Sequence, residues 1–324
     1  MEHLSITTTN KNNREMKPIV KDINFYIKQG ETLALVGESG SGKSVTSLAV
    51  LGLLPSPLSI QNGSIHFQGK NILNMTEGER KRLRGKGIGF IFQDYRGSFT
   101  PFFKIGKQMM EVIKTHKQCS RKEAEEEILD ALNRVNLPPK HIWNSYPFEL
   151  SGGQLQRAAI ATAMLLKPPL LIADEPTTAL DICTVQTVMD YITKLKEEWN
   201  CSVLFITHDI GLALQRADRI AVMYGGQILE LAKVDQIREH PYHPYTKLLL
   251  HSRPSILRRN DTLATVPGEP GVISNTGCSF ALRCPIKESV CLKEPSVGTN
   301  IKDDHKVFCH AVSPPFKKGS VIRV

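Results

Sequence analysis

Thr32-Leu-Ala-Leu-Val36, then Gly37-Glu-Ser-Gly-Ser-Gly42-Lys43-Ser44, then Val45-Thr-Ser-Leu-Ala-Val-Leu51 is the stretch that decides the fold. Its first five residues, aliphatic and β-branched, read as a buried strand. The glycine-rich piece matches G-x-x-x-x-G-K-[ST], and Ser44 to Leu54 reads as a helix. Strand, loop and helix in that order give the pattern its weight. Glycines let successive backbone N–H groups turn inward around phosphate oxygens at a helix N-terminus, Lys43 reaches the β and γ phosphates, and the Ser44 hydroxyl ligates Mg²⁺. The candidate nucleotide-binding set is therefore Gly37, Ser39, Gly40, Ser41, Gly42, Lys43 and Ser44.

Upstream, Ile23–Ile27 reads as a strand joined to Thr32–Val36 by a Gln29-Gly30 turn. Downstream, Ser64–Phe67 and Ile88–Phe92 read as strands, and the stretch from Thr100 to Leu150 turns helical. There Ser120-Arg-Lys-Glu123 forms a capping box ahead of an amphipathic run with Ile128, Leu129, Leu132 and Val135 on one face. Leu170–Ala173 and Val203–Ile206 are continuous apolar runs, as parallel strands buried on both faces require. The first ends in Asp174-Glu175, at a strand's C-terminal edge, where α/β proteins bind ligands. Adjacent acids there serve different purposes: Asp174 suits the Mg²⁺ shell and Glu175 suits polarising a water for in-line attack on the γ-phosphate. Leu150-Ser151-Gly152-Gly153-Gln154 opens a second helix, Leu155–Leu166, and so offers a second helix N-terminus to phosphate. A two-fold pairing, in which one subunit's loop covers the other's nucleotide, would use both.

The 324 residues, 41% hydrophobic and 23% charged, suit one large or two modest domains and exclude disorder and collagen-like repeats. The longest apolar runs, Leu48–Leu54 and Leu170–Ala173, fall far short of a bilayer-crossing helix, and the polar Met1–Asn13 carries no export signal, so a cytosolic chain is expected. Of the net charge of +9, a surplus of 5 lies in residues 251–324, where 11 Lys and Arg face 6 Asp and Glu. Without interleaved aromatic residues that basic end does not read as a nucleic-acid binder. Of seven cysteines, Cys119, Cys183 and Cys201 are scattered, whereas Cys278, Cys284, Cys291 and Cys309 crowd the last fifth of the chain. In a cytosolic chain these read as metal ligands or buried thiols.

The phosphate loop, Gln93 in Phe-Ile-Phe-Gln-Asp, Leu-Ser-Gly-Gly-Gln, the strand ending Asp-Glu, Ala179-Leu180-Asp181 and His208 in Ile-Thr-His-Asp occur in one order. Together, from Leu33 to Gly226, they resemble the ATP-binding subunits of ABC transporters. The resemblance implies an α/β fold: a P-loop (RecA-like) ATPase core over residues 1–93 and 165–240, a helical subdomain over 94–164, and a small cysteine-containing C-terminal domain over 241–324. It implies ATP and Mg²⁺ as cofactors, with Ser44, Gln93 and Asp174 about the metal, and Glu175, His208 and Gln93 as catalytic residues. Ser151 and Gly153 would bind the opposite subunit's γ-phosphate, with Gly152 and Gln154 in the same nucleotide-binding set, and Asp181 would link the two sites. One departure is that Leu4-Ser-Ile-Thr-Thr-Thr9 lacks the family's adenine-stacking aromatic residue, which leaves an aliphatic contact such as Ile6.

His240-Pro-Tyr-His243-Pro-Tyr245-Thr-Lys-Leu-Leu, Pro267-Gly-Glu-Pro and the cysteine cluster resemble the ending of the oligopeptide, dipeptide and nickel importer ATPases. Within that family the histidine tract is a structural joint, and a metal reading of its histidines is the lesser one. The cysteines run C-x5-C-x6-C-x17-C, without the C-x2-C knuckles of zinc sites. An iron–sulfur cluster, resembling the 4Fe-4S pattern of some dipeptide-type ATPases, is favoured over zinc and over free thiols. The expected partners are a homologous second ATPase subunit, two transmembrane permeases docked on the helical insertion, and indirectly an extracytoplasmic binding protein, at the cytoplasmic face of the membrane. Rival readings are a soluble ATPase of DNA repair or translation, which would need coiled-coil insertions or tandem cores, and a redox-sensing module.

Overall fold

Alternation along a few central strands builds this molecule from the middle outwards. The computed structural model describes residues 1–9, 16–178, 181–252, 266, 268–269, 276–302 and 304–312. In chain order come β1 (Glu2–Thr9), β2 (Met16–Ile23), β3 (Thr32–Val36), α1 (Lys43–Leu51), β4 (Leu58–Ser64), a short hairpin of β5 (His66–Phe67) and β6 (Lys70–Asn71), α2 (Glu77–Lys86) and β7 (Ile88–Ile91). Helices α3 (Ile105–His116), α4 (Arg121–Arg134), α5 (Pro139–Asn144) and α6 (Gly152–Met164) follow as a packed group. Then come β8 (Leu170–Asp174), α7 (Ile182–Trp199), β9 (Ser202–Thr207), α8 (Ile210–Arg216), β10 (Arg219–Tyr224), β11 (Gln227–Lys233), α9 (Val234–Glu239) and α10 (Pro244–His251). The chain closes with α11 (Ser289–Lys293), β12 (Thr299–Lys302) and β13 (His305–Val307).

Eight strands make one sheet in the order β12-β13-β11-β10-β3-β9-β8-β7, whose five members from β10 to β7 run parallel. Every residue of β3, β9 and β10 is buried, as continuous apolar runs predict for a sheet covered on both faces. Leu33, Leu35, Leu204 and Ile206 face one layer, where Leu4, Ile6 and Val20 of a three-stranded antiparallel sheet (β2-β1-β4) close over them. Ala34, Val36, Val203 and Phe205 face the other, packed with Ile113, Ile128, Leu132 and Ala158 of the helical group. This arrangement puts Gly37, Gln93, Glu175 and His208 just beyond the C-terminal ends of β3, β7, β8 and β9, along one sheet edge. Among the described residues no helix is long and apolar enough to cross a membrane.

The α4 capping box forms as read: Ser120 Oγ accepts from the Glu123 N–H at 3.2 Å and Glu123 Oε2 accepts from the Ser120 N–H at 2.8 Å. The proposed strand Ile23–Ile27 does not form. The ladder runs instead over Met16–Ile23, with a bulge at Asp22, whose φ is 48° and whose N–H donates to the Ser5 hydroxyl, and Phe25 stays in the core beyond it. Helix α1 stops at Leu51 rather than Leu54, since Gly52 swings to φ 64° and its N–H caps the Ala49 carbonyl. Strand β4 was hidden by its polar composition. It lies at the edge of its sheet, where Gly63 at φ +103° passes so close to β1 that a Cβ would stand 2.6 Å from the His3 carbonyl oxygen.

The C-terminal segment rests on the main sheet. Strand β13 pairs antiparallel with β11 through Glu230–Val307 and Leu231–Lys306, and Cys278 and Phe280 join the large core beside Tyr245. Glu230, fully buried, accepts hydrogen bonds from the N–H groups of Tyr242 (2.8 Å) and His243 (3.0 Å) and pairs with His305 Nε2 at 2.7 Å. A buried carboxyl group needs such partners.

Candidate nucleotide and catalytic site

The phosphate loop has the backbone its glycines allow. A Cβ on Gly37 would stand 2.0 Å from the Met223 carbonyl oxygen, so only glycine passes beneath β10, and Gly42 enters α1 at φ +99°. Lys43 is buried, and its Nζ donates to the carbonyls of Gly37 (2.8 Å) and Glu38 (2.9 Å) and to Ser41 Oγ (3.4 Å). Burial pulls the Lys43 ammonium down from its ordinary pKa against the attraction of Glu175, Asp174 and Glu38. Ser39 and Gly40 form the exposed crest of the loop.

Across the sheet edge Ser44 Oγ donates to Asp174 Oδ1 at 3.0 Å, and Ser47 Oγ donates to Oδ2 at 3.4 Å. Two of the three residues read as standing about Mg²⁺, Ser44 and Asp174, are thus side by side. Burial pushes the Asp174 carboxyl up, while the Ser44 hydrogen bond works in the other direction. The next residue, Glu175, adopts φ 46°, its N–H bonded to the Ile206 carbonyl, so that its side chain leaves the direction of Asp174. On Glu175 Oε2 three groups converge: Thr178 Oγ1 at 3.0 Å, Gln93 Nε2 at 3.2 Å and His208 Nδ1 at 3.3 Å. Gln93, Glu175 and His208 are thus brought together from three strand ends. The oxygen donors of Ser44, Asp174 and Gln93 are the hard set that Mg²⁺ prefers, and with ATP bound these residues would hold it. Its chemistry there is charge neutralisation on the phosphoryl oxygens.

Ser151 begins α6 as its N-cap, accepting from the Gln154 N–H at 3.3 Å while Gln154 Oε1 accepts from the Ser151 N–H at 3.0 Å. A Cβ on Gly152 would lie 3.0 Å from the Tyr95 hydroxyl, a tight contact, and Gly153 faces Thr184. Among the described residues no hydrogen bond joins Ser151, Gly152, Gly153 or Gln154 to the Gly37–Ser44 loop. Asp181 caps α7, accepting from Thr184 N–H (3.0 Å) and Oγ1 (2.6 Å). Ala179, Leu180, Pro267 and Pro270 lie outside the described residues. Ile6, the proposed aliphatic adenine contact, is fully buried against the sheet and cannot reach a nucleotide, because alternation along β1 turns it into the core.

The sequence reading missed Thr178 and Gln156. The Gln156 amide, nearly fully buried, donates to the Pro176 carbonyl and so ties the helix behind Ser151 to the turn carrying Glu175. An amide between Leu155 and Ala158 in an apolar helix was the available signal. His243 caps α10 through Nδ1, which accepts from the Tyr245 N–H at 3.1 Å. Complete burial lowers its pKa to about 4, so it is a neutral structural joint, as the family resemblance implies.

The four clustered cysteines are drawn into one neighbourhood. Cys278, Cys284 and Cys291 each act electrostatically on Cys309, and the Cys278 N–H donates to the Cys291 carbonyl at 2.8 Å. Yet among the described residues no three His, Cys, Asp or Glu side chains are arranged to hold a metal ion. Burial pushes the Cys278 thiol up to about 11 and that of Cys309 to about 12, which makes them neutral packing groups at ordinary pH.

Fold and site together define a P-loop ATPase. Residues 20–178 match the family described as ABC transporter, and residues 229–291 match the oligopeptide/dipeptide transporter C-terminal region. The oligopeptide transport ATP-binding protein OppD of Bacillus subtilis is 41% identical over 92% of this chain and 85% of its own length. OppD of Escherichia coli is 42% identical over 85% of this chain and 82% of its own, and the metal-staphylopine import protein CntD of Staphylococcus aureus is 42% identical over 79% and 93%. The dimeric ABC transporter cassette MJ0796 superposes with a TM-score of 0.62 at 31% identity, covering 71% of this chain and 98% of that one. The same cassette is also known in a post-hydrolysis state with ADP and phosphate. The chain belongs to the ATP-binding subunits of ABC transporters and is an ABC-type ATPase.

Proposed function

We propose that this chain powers an importer of oligopeptides or dipeptides. The observation that carries the ATPase role is the convergence of Gln93, Thr178 and His208 on one oxygen of Glu175, beside the Ser44–Asp174 pair. Glu175 takes the proton of the attacking water, His208 and Gln93 orient that water and the γ-phosphate, and Lys43 binds the phosphates. Two cassettes close head to tail, so that Ser151, Gly152, Gly153 and Gln154 of one meet the γ-phosphate held by the other, and Asp181 lies at the seam. The second cassette is a homologue rather than a copy. Closure turns two permeases at the cytoplasmic face of the membrane, fed by an extracytoplasmic binding protein.

The helical insertion from about Asp94 to Ser145, with the residues that follow it, docks the permeases. In support, Phe102 is 81% exposed and Phe148 72%, Phe103 is half-exposed, and Tyr146 stacks on Phe148 with ring centroids 5.4 Å apart. Such an exposed aromatic patch suits a protein interface. In the complex reconstituted with its permeases and binding protein, short peptides should raise ATP turnover several-fold. If nickel chelates raised it and peptides did not, the substrate would be a metal chelate, the reading that likeness to CntD favours.

Cys278, Cys284, Cys291 and Cys309 would hold a 4Fe-4S cluster after rearrangement, and its contribution would be a structural cross-link in a segment with little apolar core. Their spacing and mutual proximity support this. Anaerobically purified protein should carry about four irons and absorb near 400 nm, and Cys284→Ser should lose both. Colourless wild type with zinc or no metal would refute the cluster and leave the ATPase untouched.

A further inference from the structure

Glu38, the second residue of the phosphate loop, is held from outside the nucleotide motifs. Its N–H donates to Tyr245 Oη at 3.1 Å, and its Oε2 accepts from Arg283 Nη1 at 2.7 Å. Its carbonyl meanwhile receives Lys43 Nζ and the Ser41 N–H, so Glu38 belongs to the loop's own scaffold. The Arg283 side chain is 5% exposed and the Glu38 side chain 20%. Arg283 Nη1 also donates to Tyr224 Oη, and Nη2 to the Val266 carbonyl, both at 3.1 Å.

Arg283 is aimed by the turn between Cys278 and Cys284. The N–H groups of Ala281 and Arg283 bond the carbonyls of Cys278 and Phe280, each at 3.0 Å. Phe280 is fully buried, with its ring 5.2 Å from that of Tyr224 and 5.1 Å from that of Tyr245. The turn starts at Gly277, where φ is +74° and a Cβ would lie 2.3 Å from the Cys291 carbonyl oxygen. The cysteine segment therefore wedges one ring against the tyrosines and one guanidinium against the phosphate loop.

A largely buried carboxylate beside bound phosphates repels them unless a cation neutralises it, and removing one partner of such a pair leaves the other uncompensated. We propose that Arg283 is a positioning residue for the nucleoside triphosphate: by neutralising and orienting Glu38, it lets the cysteine segment set ATP affinity without touching the nucleotide. The inference rests on the ATPase reading of the loop. The full chain, titrated with a fluorescent ATP analogue and assayed for turnover, tests it. Arg283→Gln should raise Kd and KM for ATP about tenfold, more at low ionic strength, with kcat within about twofold, because Glu175, Gln93 and His208 are not touched.

Arg283→Lys should recover most of the loss. Adding Glu38→Gln to Arg283→Gln should bring Kd within about threefold of wild type, since the stranded carboxylate is gone. Unchanged affinity in Arg283→Gln, or a loss that Glu38→Gln does not relieve, would overturn the proposal. Should Arg283→Gln fold poorly, Glu38→Gln alone decides. Removing the negative charge beside the phosphates, it should tighten ATP about threefold, and weaker binding would contradict the charge argument. Wild type that bound no ATP would instead sink the ATPase reading itself.

Discussion

Glu175→Gln should bind ATP and form the ATP-dependent dimer while turning over about two orders of magnitude more slowly, or worse. The carboxylate oxygen that gathers Gln93, Thr178 and His208 is the proposed base, and an amide of the same shape accepts hydrogen bonds but cannot carry the proton away. Thr178 Oγ1 still finds an acceptor in the variant, so the turn after β8 should keep its form and the melting temperature should stay close to wild type. Steady-state phosphate release and size-exclusion chromatography with and without ATP provide the readout. Turnover near wild type would mean that another group takes the proton.

Lys43→Ala should act on binding. Two charge-assisted hydrogen bonds to phosphate, each worth ~1.5–3 kcal/mol, amount to at least about a 100-fold loss of ATP affinity, which puts it beyond ordinary detection. The substitution also removes the donor that bridges the Gly37 and Glu38 carbonyls, so the loop loses part of its internal framework. Equilibrium binding of labelled ATP measures this, and retained affinity would contradict the proposed phosphate contact. Comparing the two variants separates a residue that holds the nucleotide from one that transforms it.

How much of this could be read beforehand depends on sequence distance. The phosphate loop, the capping box at Ser120 and the buried runs at Leu170 and Val203 are local patterns, and each stands where it was read. Gln93, Glu175 and His208 could be brought together on paper because each follows an apolar strand and the strands are parallel neighbours. Strand β2 was misplaced because its ladder ends at Ile23 after a bulge at the positive-φ Asp22, which no apolar pattern announces. Nothing local joins Glu38 to Arg283, or Gln156 to Pro176. Those contacts exist only after the sheet has ordered its strands. The cysteine spacing predicts a cluster, whereas among the described residues no three side chains are arranged to hold a metal ion, and burial pushes the thiols of Cys278 and Cys309 up.

Glu230 sits on a strand of the ATPase sheet, and one of its three partners, His305, arrives only near the end of the chain. A protein cut just before β12 would keep every nucleotide motif yet leave the buried Glu230 carboxyl without its imidazole partner and bare the edge of β11. The tail is thus a keystone rather than an ornament. A minimal cassette trimmed to the recognised motifs would be prone to clumping, and any stop codon before residue 305 would be felt in the abundance of the whole subunit.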